Sequence, residues 1–350
     1  MSEIVLTNDE KARYARHLIL PQVGEAGQKK IKSASVLVVG AGGLGSPVLM
    51  YLAAAGIGKI GIIDDDKVDM TNLQRQIIHS TSSIGELKTE SAKRRIKQIN
   101  PEIIVDIFGT RLTIENAKEI IDGYDIIVDG TDNFATRYTI SDCCEILGKP
   151  WVFGSIHRFE GQVSVFNLNG SPNYRDLFPK APPPELAPNC AEAGVLGVLP
   201  GIIGSFQANE VLKIVLEMDG TLDSELLLID TQTMNIRKLR YNSNKEREKV
   251  TELSEDAISC TLGLDEEQSL DASSTKQNMK EISPLEYVNK VKNGWKPFFL
   301  DVRREEEEKI VTLPNTNLRI SHTEVPSRLQ EIPNDQDIVI YCRSGARSAM

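Results

Sequence analysis

A glycine-rich loop that follows an apolar run is the feature that most restricts the fold of this chain. The run over residues 36–40 passes directly into Gly40-Ala41-Gly42-Gly43-Leu44-Gly45, and a predicted helix follows. Glycines let the backbone approach a phosphate closely, and the start of a helix offers free N–H groups. Asp64 ends the next predicted strand, about 20 residues later, where a carboxylate can bind ribose hydroxyls. This order predicts a nucleotide-binding site rather than a purely structural glycine turn.

The pattern around the loop predicts an α/β fold. Between residues 35 and 148, short apolar runs alternate with amphipathic stretches, which is typical of a Rossmann-like, doubly wound and mostly parallel sheet. The predicted strands cover residues 35–39, 59–64, 103–108 and 125–129, and the predicted helices cover 44–55, 88–100, 113–122 and 134–147. From Trp151 onward, further strands, a long apolar helix over 195–218 and a closing hairpin predict added antiparallel strands.

The length of 350 residues predicts two domains. We expect the first domain to span residues 1–241. Residues 242–280 are mostly Ser, Asn, Lys, Glu, Asp and Thr with weak periodicity, which predicts a polar linker. Residues 281–350 predict a second, small α/β domain.

The composition argues against several classes of partner. A formal net charge of −10 disfavours general nucleic-acid binding, because a phosphate backbone repels an acidic protein. The sequence has no apolar run of the roughly 18 residues that suggest a transmembrane helix, and its polar N-terminus does not resemble a secretory signal. The five cysteines are few and irregularly spaced, which fits a reducing cytosol. We therefore expect a cytoplasmic protein with no membrane or nucleic-acid partner.

Polar residues downstream of the loop indicate which nucleotide is bound. Arg75 follows the ribose-binding strand, and Lys88 opens the next predicted helix. Asp132 and Asn133 follow the fourth strand, at the carboxyl edge of the sheet where ligands of open α/β sheets bind. Two cations and a carboxylate at one edge suit a triphosphate with Mg²⁺. They disfavour an NAD-dependent oxidoreductase, which the glycine loop alone would allow, and a non-catalytic binding scaffold, which would have lost one of them.

Five segments give a more specific indication. The sequences VLVVGAGGLGSP, IIDDDKVDMTNLQRQ, IGELKTESA, VDGTDNFATRY and NCAEAGVLG resemble the ThiF/MoeB family in order and spacing over residues 9–241. Members of that family are relatives of ubiquitin-activating enzymes. They adenylate the C-terminal glycine of a ubiquitin-like sulfur carrier.

The resemblance implies a role for each matching residue. Gly43 would contact ATP, Asp64 would bind the ribose, and Asp132 would be the Mg²⁺ carboxylate. The full set of ATP-binding residues that it implies is Gly40, Gly42, Gly43, Gly45, Asp64, Asn72, Arg75, Lys88, Asp132 and Asn133. Within this set, Asn72, Arg75 and Lys88 would hold the phosphates.

The N-terminal segment RYARHLIL resembles the arginine segment of the same family, in which Arg16 reaches the ATP of the other subunit. The resemblance therefore implies a homodimer. In the expected reaction, the carboxylate of the carrier attacks the α-phosphorus of ATP and pyrophosphate leaves. Arg16, Arg75 and Lys88, together with Mg²⁺, would offset the phosphate charge without any side-chain nucleophile.

Cys190 lies in the segment NCAEAGVLG, between a Pro-rich loop and a predicted helix, where a thiolate is favoured. The family places a conjugating cysteine here. Whether it forms a thioester, resolves an acyl disulfide or only packs under the loop stays open. Many relatives also bind zinc through two Cys-x-x-Cys pairs, but residues 174–178 and 242–248 contain no cysteine. We therefore expect no structural zinc.

Cys342 begins the segment CRSGARS after a predicted strand. A strand, a tight loop and a helix start form a nest of N–H groups, which lowers the thiol pKa and can stabilise a persulfide. This segment resembles the active loop of rhodanese domains. A cysteine phosphatase would have one residue more than the four that separate Cys342 from Arg347. Because rhodanese domains usually continue through another strand and helices, we expect this one to be incomplete at its C-terminus.

Together these features predict an adenylyltransferase with a sulfurtransferase domain, which converts the C-terminal Gly-Gly end of a ubiquitin-like carrier to a thiocarboxylate. The expected sulfur donor is a cysteine desulfurase or thiosulfate. The rhodanese-like segment favours molybdopterin (molybdenum cofactor) biosynthesis, and thiamine synthesis and tRNA thiolation stay open as alternatives.

Overall fold

The structure, a computed structural model, describes residues 4–180, 194–253, 282, 284–303, 315–333, 335–342 and 348. The chain divides into two units, Met1–Glu266 and Glu267–Met350. The domain limits predicted from the sequence stay a prediction. None of the helices in the described part of the chain combines the length and apolarity needed to cross a bilayer.

The first unit alternates helices and strands. Its helices are α1 (Asn8–Arg13), α2 (Ala15–Leu18), α3 (Gly24–Ser33), α4 (Gly45–Ala55), α5 (Lys88–Ile99), α6 (Ile114–Asp122), α7 (Phe134–Leu147), α8 (Tyr174–Leu177) and α9 (Val198–Val215). Its strands are β1 (Ser35–Val39), β2 (Lys59–Ile63), β3 (Ile104–Phe108), β4 (Ile126–Asp129), β5 (Trp151–His157), β6 (Glu160–Phe166), β7 (Glu225–Asp230) and β8 (Asn235–Arg240). Short 3₁₀ helices cover Met70–Asn72 and Thr81–Ser83.

The strands form one sheet in the order β3-β2-β1-β4-β5-β6-β7-β8. The first five strands in this order, from β3 through β2, β1 and β4 to β5, run parallel to one another. Strands β6, β7 and β8 are each antiparallel to the strand before them. Strand β1 is central and almost wholly buried, as its continuous apolar run predicts for a strand covered on both faces. Its last residue, Val39, pairs with Ile63 of β2 and Asp129 of β4, so the loops after these strands begin at one edge. The predicted α/β class with added antiparallel strands is confirmed.

The sheet carries a hydrophobic core on each face. Helices α4, α5 and α9 cover one face with aliphatic side chains. The other face holds an aromatic cluster in which Trp151 contacts Phe166 and Tyr174 at centroid distances of 5.4 and 5.2 Å. Each large apolar side chain buried in this way contributes about 1.5–3 kcal/mol. The site at the strand ends is thus built on a rigid scaffold.

The long helix of the first unit is shorter than the predicted range of 195–218. Val195 forms a parallel bridge with Arg158, so the chain is still extended where the apolar pattern already favours a helix. At the other end, Glu217 has a φ of 55°, which is incompatible with continuing the helix. Helices α1 to α3 were not predicted, because their sequence is polar and short.

The stretch after β8, which the sequence predicts to begin a polar linker, belongs to the first unit and packs against α7 and α8. Arg247 donates from Nε to Asp176 Oδ1 at 2.8 Å and from its terminal nitrogens to Glu145 at 2.8 and 3.0 Å. The Glu145 and Asp176 side chains are only 8% and 4% exposed. This trio, here called the Arg247 cluster, joins α7 and α8 to residues 242–253. Two of its members, Asp176 and Arg247, lie in the segments 174–178 and 242–248, which contain no cysteine.

The second unit contains helix α10 (Pro284–Lys292) and the parallel strands β9 (Phe298–Asp301), β10 (Leu318–Arg319) and β11 (Ile338–Tyr341). The strand order is β10-β9-β11. A small core forms around Leu300, and Phe299 stacks between Tyr287 and Tyr341 at centroid distances of 4.8 and 4.7 Å. The helix, the central strand β9 and the edge strand β11 fall where the sequence predicts a helix over 284–292 and strands over 297–301 and 337–341, whereas the two-residue strand β10 was not predicted.

Candidate active site

A cleft of about 400 Å³ lies at the carboxyl edge of the parallel strands. Residues from the loops after β1, β2, β3 and β4 line it, so the sheet topology brings together groups that are far apart in sequence. The predicted site residues that line this cleft are Gly40, Gly42, Gly43, Asp64, Arg75, Lys88, Asp132 and Asn133. This is the position at which open α/β sheets bind ligands.

The glycine loop is in main-chain contact with the loop after β4. Gly40 has a φ of 97°, and a Cβ built on it would lie 2.8 Å from the carbonyl oxygen of Gly130. A Cβ on Gly130 would in turn lie 2.6 Å from the carbonyl oxygen of Gly40. Gly45 opens α4 and does not line the cleft; its Cβ would lie 2.0 Å from that same Gly40 oxygen. Gly45 therefore fixes how closely the helix follows the loop.

Asp64 lies directly after β2 and faces the loop. Its carboxylate accepts hydrogen bonds from the N–H of Ala41 at 2.8 Å and from the N–H of Asp66 at 2.9 Å. Burial raises the pKa of Asp64, and the charge of Lys88 offsets part of that rise. A largely buried carboxylate that is held by backbone donors has the fixed orientation that a ribose contact needs.

His79 supports the loop from below. Its Nε2 lies 2.9 Å from the carbonyl oxygen of Ala41, and its Nδ1 lies 2.9 Å from Ser91 Oγ. Burial lowers the pKa of His79, which favours the neutral ring. With Nε2 donating to the carbonyl oxygen, Nδ1 is the acceptor for the serine hydroxyl. His79 therefore has a structural role beneath the glycine loop.

Lys88 is the first residue of α5, and its side chain is 7% exposed. Its Nζ lies 2.7 Å from Asp66 Oδ2, on a carboxylate that is 63% exposed. The backbone fixes this pair, because the N–H of Lys88 donates to the carbonyl oxygen of Asp66 at 2.9 Å. The cleft thus contains a buried ammonium group whose solvated partner a phosphate can replace.

Arg75 and Asn72 have different environments. Arg75 lines the cleft, and its guanidinium donates to the carbonyl oxygen of Thr71 at 3.0 Å. Asn72 is not among the lining residues. Its side-chain oxygen accepts from the N–H of Asp69 at 3.1 Å and so caps the 3₁₀ helix over Met70–Asn72. The structure therefore gives Asn72 a role in shaping the segment that carries Arg75.

The loop after β4 carries Asp132 and Asn133, both exposed. Asn133 caps α7 by accepting from the N–H of Thr136 at 2.9 Å. Asp132 lines the cleft and has a solvated carboxylate. Such a group is available to a hard cation such as Mg²⁺.

A buried ion pair that the sequence did not reveal lies behind this loop. Arg137 Nε is 3.1 Å from Asp129 Oδ2, and a terminal nitrogen of Arg137 donates to the carbonyl oxygen of Thr131 at 2.9 Å. From α9, the Gln207 amide donates to the carbonyl oxygen of Asp129 at 2.7 Å. These contacts brace the turn before Asp132. The spacing of Arg137, one helical turn after Asn133, was the only signal in the sequence.

Three consecutive aspartates follow β2, and each has a different partner. Asp64 accepts from the glycine loop, Asp65 pairs with Arg111 at 3.2 Å, and Asp66 pairs with Lys88. One carboxylate oxygen from each of the three lies within 4.8 Å of the other two. The two cations and the backbone donors satisfy this concentration of negative charge.

The remaining predicted residues are Arg16, Cys342 and Cys190. Arg16 is exposed on α2 and does not line the cleft of its own subunit. Cys342 follows β11 in the second unit, with Sγ 3.6 Å from Ser348 Oγ. Cys190 lies outside the described residues. By contrast, Cys143 is buried in the core, and burial raises its pKa to about 12, as expected for a packing residue.

Comparison with known proteins places this site in a family. The ThiF family matches residues 14–250. The chain is 43% identical over 350 residues to the probable adenylyltransferase/sulfurtransferase MoeZ of Mycobacterium tuberculosis, covering 98% of this chain and 88% of MoeZ. It is 50% identical over 243 residues to the sulfur carrier protein adenylyltransferase of Thermus thermophilus, covering 68% of this chain and 90% of that protein.

The chain is also similar to two other proteins. The chain is 42% identical over 356 residues to the probable molybdopterin-synthase adenylyltransferase of Porphyra purpurea, covering 97% and 87% of the two chains. Escherichia coli MccB, crystallised with MccA-N7isoASN, shares the fold with a TM-score of 0.61 at 20% identity, over 70% of this chain and 76% of that one. The match over most of the chain and the identity to full-length relatives show that this protein is an enzyme of the ThiF family.

Proposed function

We propose that this enzyme adenylates the C-terminal glycine of a ubiquitin-like sulfur carrier and passes sulfur to the activated carboxyl group, forming a thiocarboxylate. The observation that carries the proposal is that Lys88, Arg75 and Asp132 line the same cleft as Asp64, the carboxylate expected to bind the ribose. Cations and a solvated carboxylate at one strand edge suit a triphosphate. The names of the relatives, which include adenylyltransferases and a sulfurtransferase, support both steps.

The residues present fit ATP with Mg²⁺. Asp64 is oriented for the ribose, and the loop over Gly40–Gly43 leaves room for phosphate because it carries no side chain at three of its four positions. Lys88 and Arg75 supply positive charge, and Asp132 would hold the Mg²⁺ ion. When bound, that ion would offset part of the negative charge of the phosphates.

The expected chemistry is a displacement at phosphorus. A carboxylate oxygen of the carrier attacks the α-phosphorus of ATP, a new P–O bond forms, and the bond to the bridging oxygen of the β-phosphate breaks. Pyrophosphate leaves with the electron pair. Lys88 and Arg75 stabilise the growing charge on the leaving group, so no side-chain nucleophile is needed.

Exposed apolar side chains beside the cleft support a protein substrate. Phe159, Leu196 and Ile236 are each between 41% and 58% exposed. Two backbone hydrogen bonds join the segments that carry these residues. The N–H of Leu196 donates to the carbonyl oxygen of Arg158, and the N–H of Thr231 donates to the carbonyl oxygen of Phe159. The neighbouring strand β5 reaches the cleft through its last residue, His157. A carrier docked here could direct its C-terminal Gly-Gly into the site.

A homodimer would complete the site. Arg16 does not line its own cleft, and the apolar residues Ile19 and Leu20, which follow it closely in the chain, are 70% and 47% exposed, which favours contact with another chain. We propose that a second copy covers this surface and that Arg16 enters the partner's cleft. The cation set around the triphosphate would then include one group in trans.

Sulfur transfer would depend on Cys342 in the second unit, whose persulfide would attack the acyl-adenylate and displace AMP, forming an acyl disulfide. The Cys190 thiolate would then attack the Cys342 sulfur, so that the thiocarboxylate leaves and a disulfide between the two cysteines forms. A cysteine desulfurase or thiosulfate would load Cys342 as a persulfide. We propose molybdopterin biosynthesis as the pathway, supported by the name of the Porphyra relative. Thiamine synthesis and tRNA thiolation use chemically similar carriers and are the alternatives that the experiment separates.

The test is carrier-dependent pyrophosphate exchange with purified carriers that end in Gly-Gly, one from each pathway. Exchange with the molybdopterin carrier, and none when its last glycine is removed, is the expected result. Exchange with only a thiamine or thiolation carrier would change the pathway but keep the chemistry. Saturable binding of NAD without binding of ATP, measured by calorimetry, would overturn the proposal.

A further inference from the structure

Arg111 stands at the margin of the cleft and has no role in the proposed phosphate chemistry. It follows β3 and lines the cleft with Thr110 and Leu112. A terminal nitrogen of its guanidinium lies 3.2 Å from Asp65 Oδ2, at the end of the adjacent strand β2. The Arg111 and Asp65 side chains are 69% and 42% exposed, so the pair lies at the mouth of the cleft.

The strand order shows which part of a nucleotide this pair faces. Asp64 follows β2, the glycine loop follows β1, and Asp132 follows β4, in the spatial order β3-β2-β1-β4. A nucleotide with its ribose at Asp64 and its phosphates toward β1 and β4 has its base directed toward β3. The groups on that side of the cleft are those of residues 110–112.

This side of the cleft has the composition of a base-binding subsite. Leu112 and Ile63 line it with buried apolar surface, and their side chains are 4% and 1% exposed. Arg111 adds a planar cation to the lining of the same cleft. Guanidinium groups stack on aromatic rings, and Arg does so more readily than Lys because its charged group is flat and weakly hydrated.

We propose that Arg111 covers the adenine base of bound ATP, and that Asp65 holds the guanidinium in the stacking position. The inference rests on the proposed adenylation function, because it assumes that the ribose lies at Asp64. The Asp65 carboxylate also offsets the positive charge of Arg111, which weakens the attraction between the guanidinium and the phosphates. Arg111 is therefore a base-binding residue rather than a further phosphate ligand.

The test compares two ligands that share only part of ATP. AMP contains the base and ribose, whereas inorganic tripolyphosphate contains only the charges. Calorimetry on the full chain with Arg111→Ala should show AMP and ATP binding weakened by about three- to thirty-fold, the range expected for losing one cation–π contact. Tripolyphosphate binding should change less than about twofold, because a solvated charge at the mouth contributes little.

Arg111→Lys separates stacking from charge. If the guanidinium stacks on the base, Lys should bind AMP as weakly as Ala does, although it keeps the charge. Arg95→Ala, which removes an exposed arginine outside the cleft, is the matched control and should bind all three ligands normally. Asp65→Asn should weaken AMP binding by a smaller factor than Arg111→Ala.

Three results would overturn the inference. These are AMP binding unchanged in Arg111→Ala, tripolyphosphate binding lost in Ala and restored in Lys, and wild-type protein that does not bind AMP. In pyrophosphate exchange, Arg111→Ala should raise the KM for ATP and leave kcat within about twofold of wild type, because the base takes no part in the chemistry. If no carrier supports exchange, the proposed function fails while the AMP comparison still decides the role of Arg111.

Discussion

Replacing Arg247 by alanine should destabilise the first unit by about 3 kcal/mol. The substitution leaves two carboxylates, Glu145 and Asp176, without their shared cation while they are 8% and 4% exposed. Removing one partner of a buried ion pair costs about 3–5 kcal/mol. The Arg247 side chain is itself 16% exposed, so water can reach part of the cluster, and we take the lower end of that range.

Thermal and urea unfolding, followed by circular dichroism, measure this effect. In a domain of this size, each kcal/mol lowers Tm by about 2–4 °C, so Arg247→Ala should melt about 6–12 °C below the wild type. Arg240→Ala is the matched control. It also breaks an ion pair, with Glu225 at 3.1 Å, but the Arg240 side chain is 88% exposed. Its loss should cost less than about 1 kcal/mol.

Equal effects of Arg247→Ala and Arg240→Ala would refute the reasoning, because burial would then not distinguish the two pairs. A double-mutant cycle with Glu145→Gln sharpens the test, and we expect a coupling energy above about 1 kcal/mol between Arg247 and Glu145. If the cluster serves in place of a metal, adding a chelator should leave the Tm of the wild type unchanged. A fall in Tm with chelator would instead reveal a structural metal and contradict the expectation of no zinc.

Three further predictions concern activity. Lys88→Ala and Asp132→Ala should each reduce carrier-dependent pyrophosphate exchange by at least about 100-fold, since each removes electrostatic stabilisation of about 3 kcal/mol, and near-normal exchange would contradict the assigned roles. Arg16→Ala should be inactive alone, but mixing it with Lys88→Ala should restore part of the activity through heterodimers with one intact site. If subunit exchange is demonstrated and no activity returns, Arg16 does not act in trans. Cys342→Ala should abolish thiosulfate sulfurtransferase activity and leave pyrophosphate exchange intact; persistent sulfur transfer would place the persulfide on another cysteine.

The sequence predicts the parallel half of the fold well, because each element there buries an apolar face of clear periodicity. The first and last residues of the four predicted strands agree with those of β1 to β4 to within one residue. It predicts the long helix less well, because apolar side chains continue past both of its ends. There, the bridge of Val195 to Arg158 and the backbone conformation of Glu217 decide the limits, and neither has a local signature.

The candidate site shows the same division. Glycines and charges at strand ends can be predicted from position alone, and Asp64, Lys88 and Asp132 all line one cleft. Asn72 does not line the cleft, and its side-chain oxygen caps a 3₁₀ helix, so its contact with the phosphates stays a prediction. The Arg137 brace could not be predicted, because its contacts come from three separate strands and loops.

The carbonyl oxygen of Gly40 has a consequence for how this enzyme can evolve. A side chain at Gly45 or at Gly130 would collide with that one atom, at 2.0 and 2.6 Å. Because the obstacle is main chain, no substitution at position 40 can remove it, and a second-site change cannot rescue either glycine by making room. We therefore expect both positions to tolerate no replacement in random mutagenesis under selection for activity. Glycines elsewhere whose obstacles are side chains, such as Gly27 against Leu216, should instead acquire suppressors.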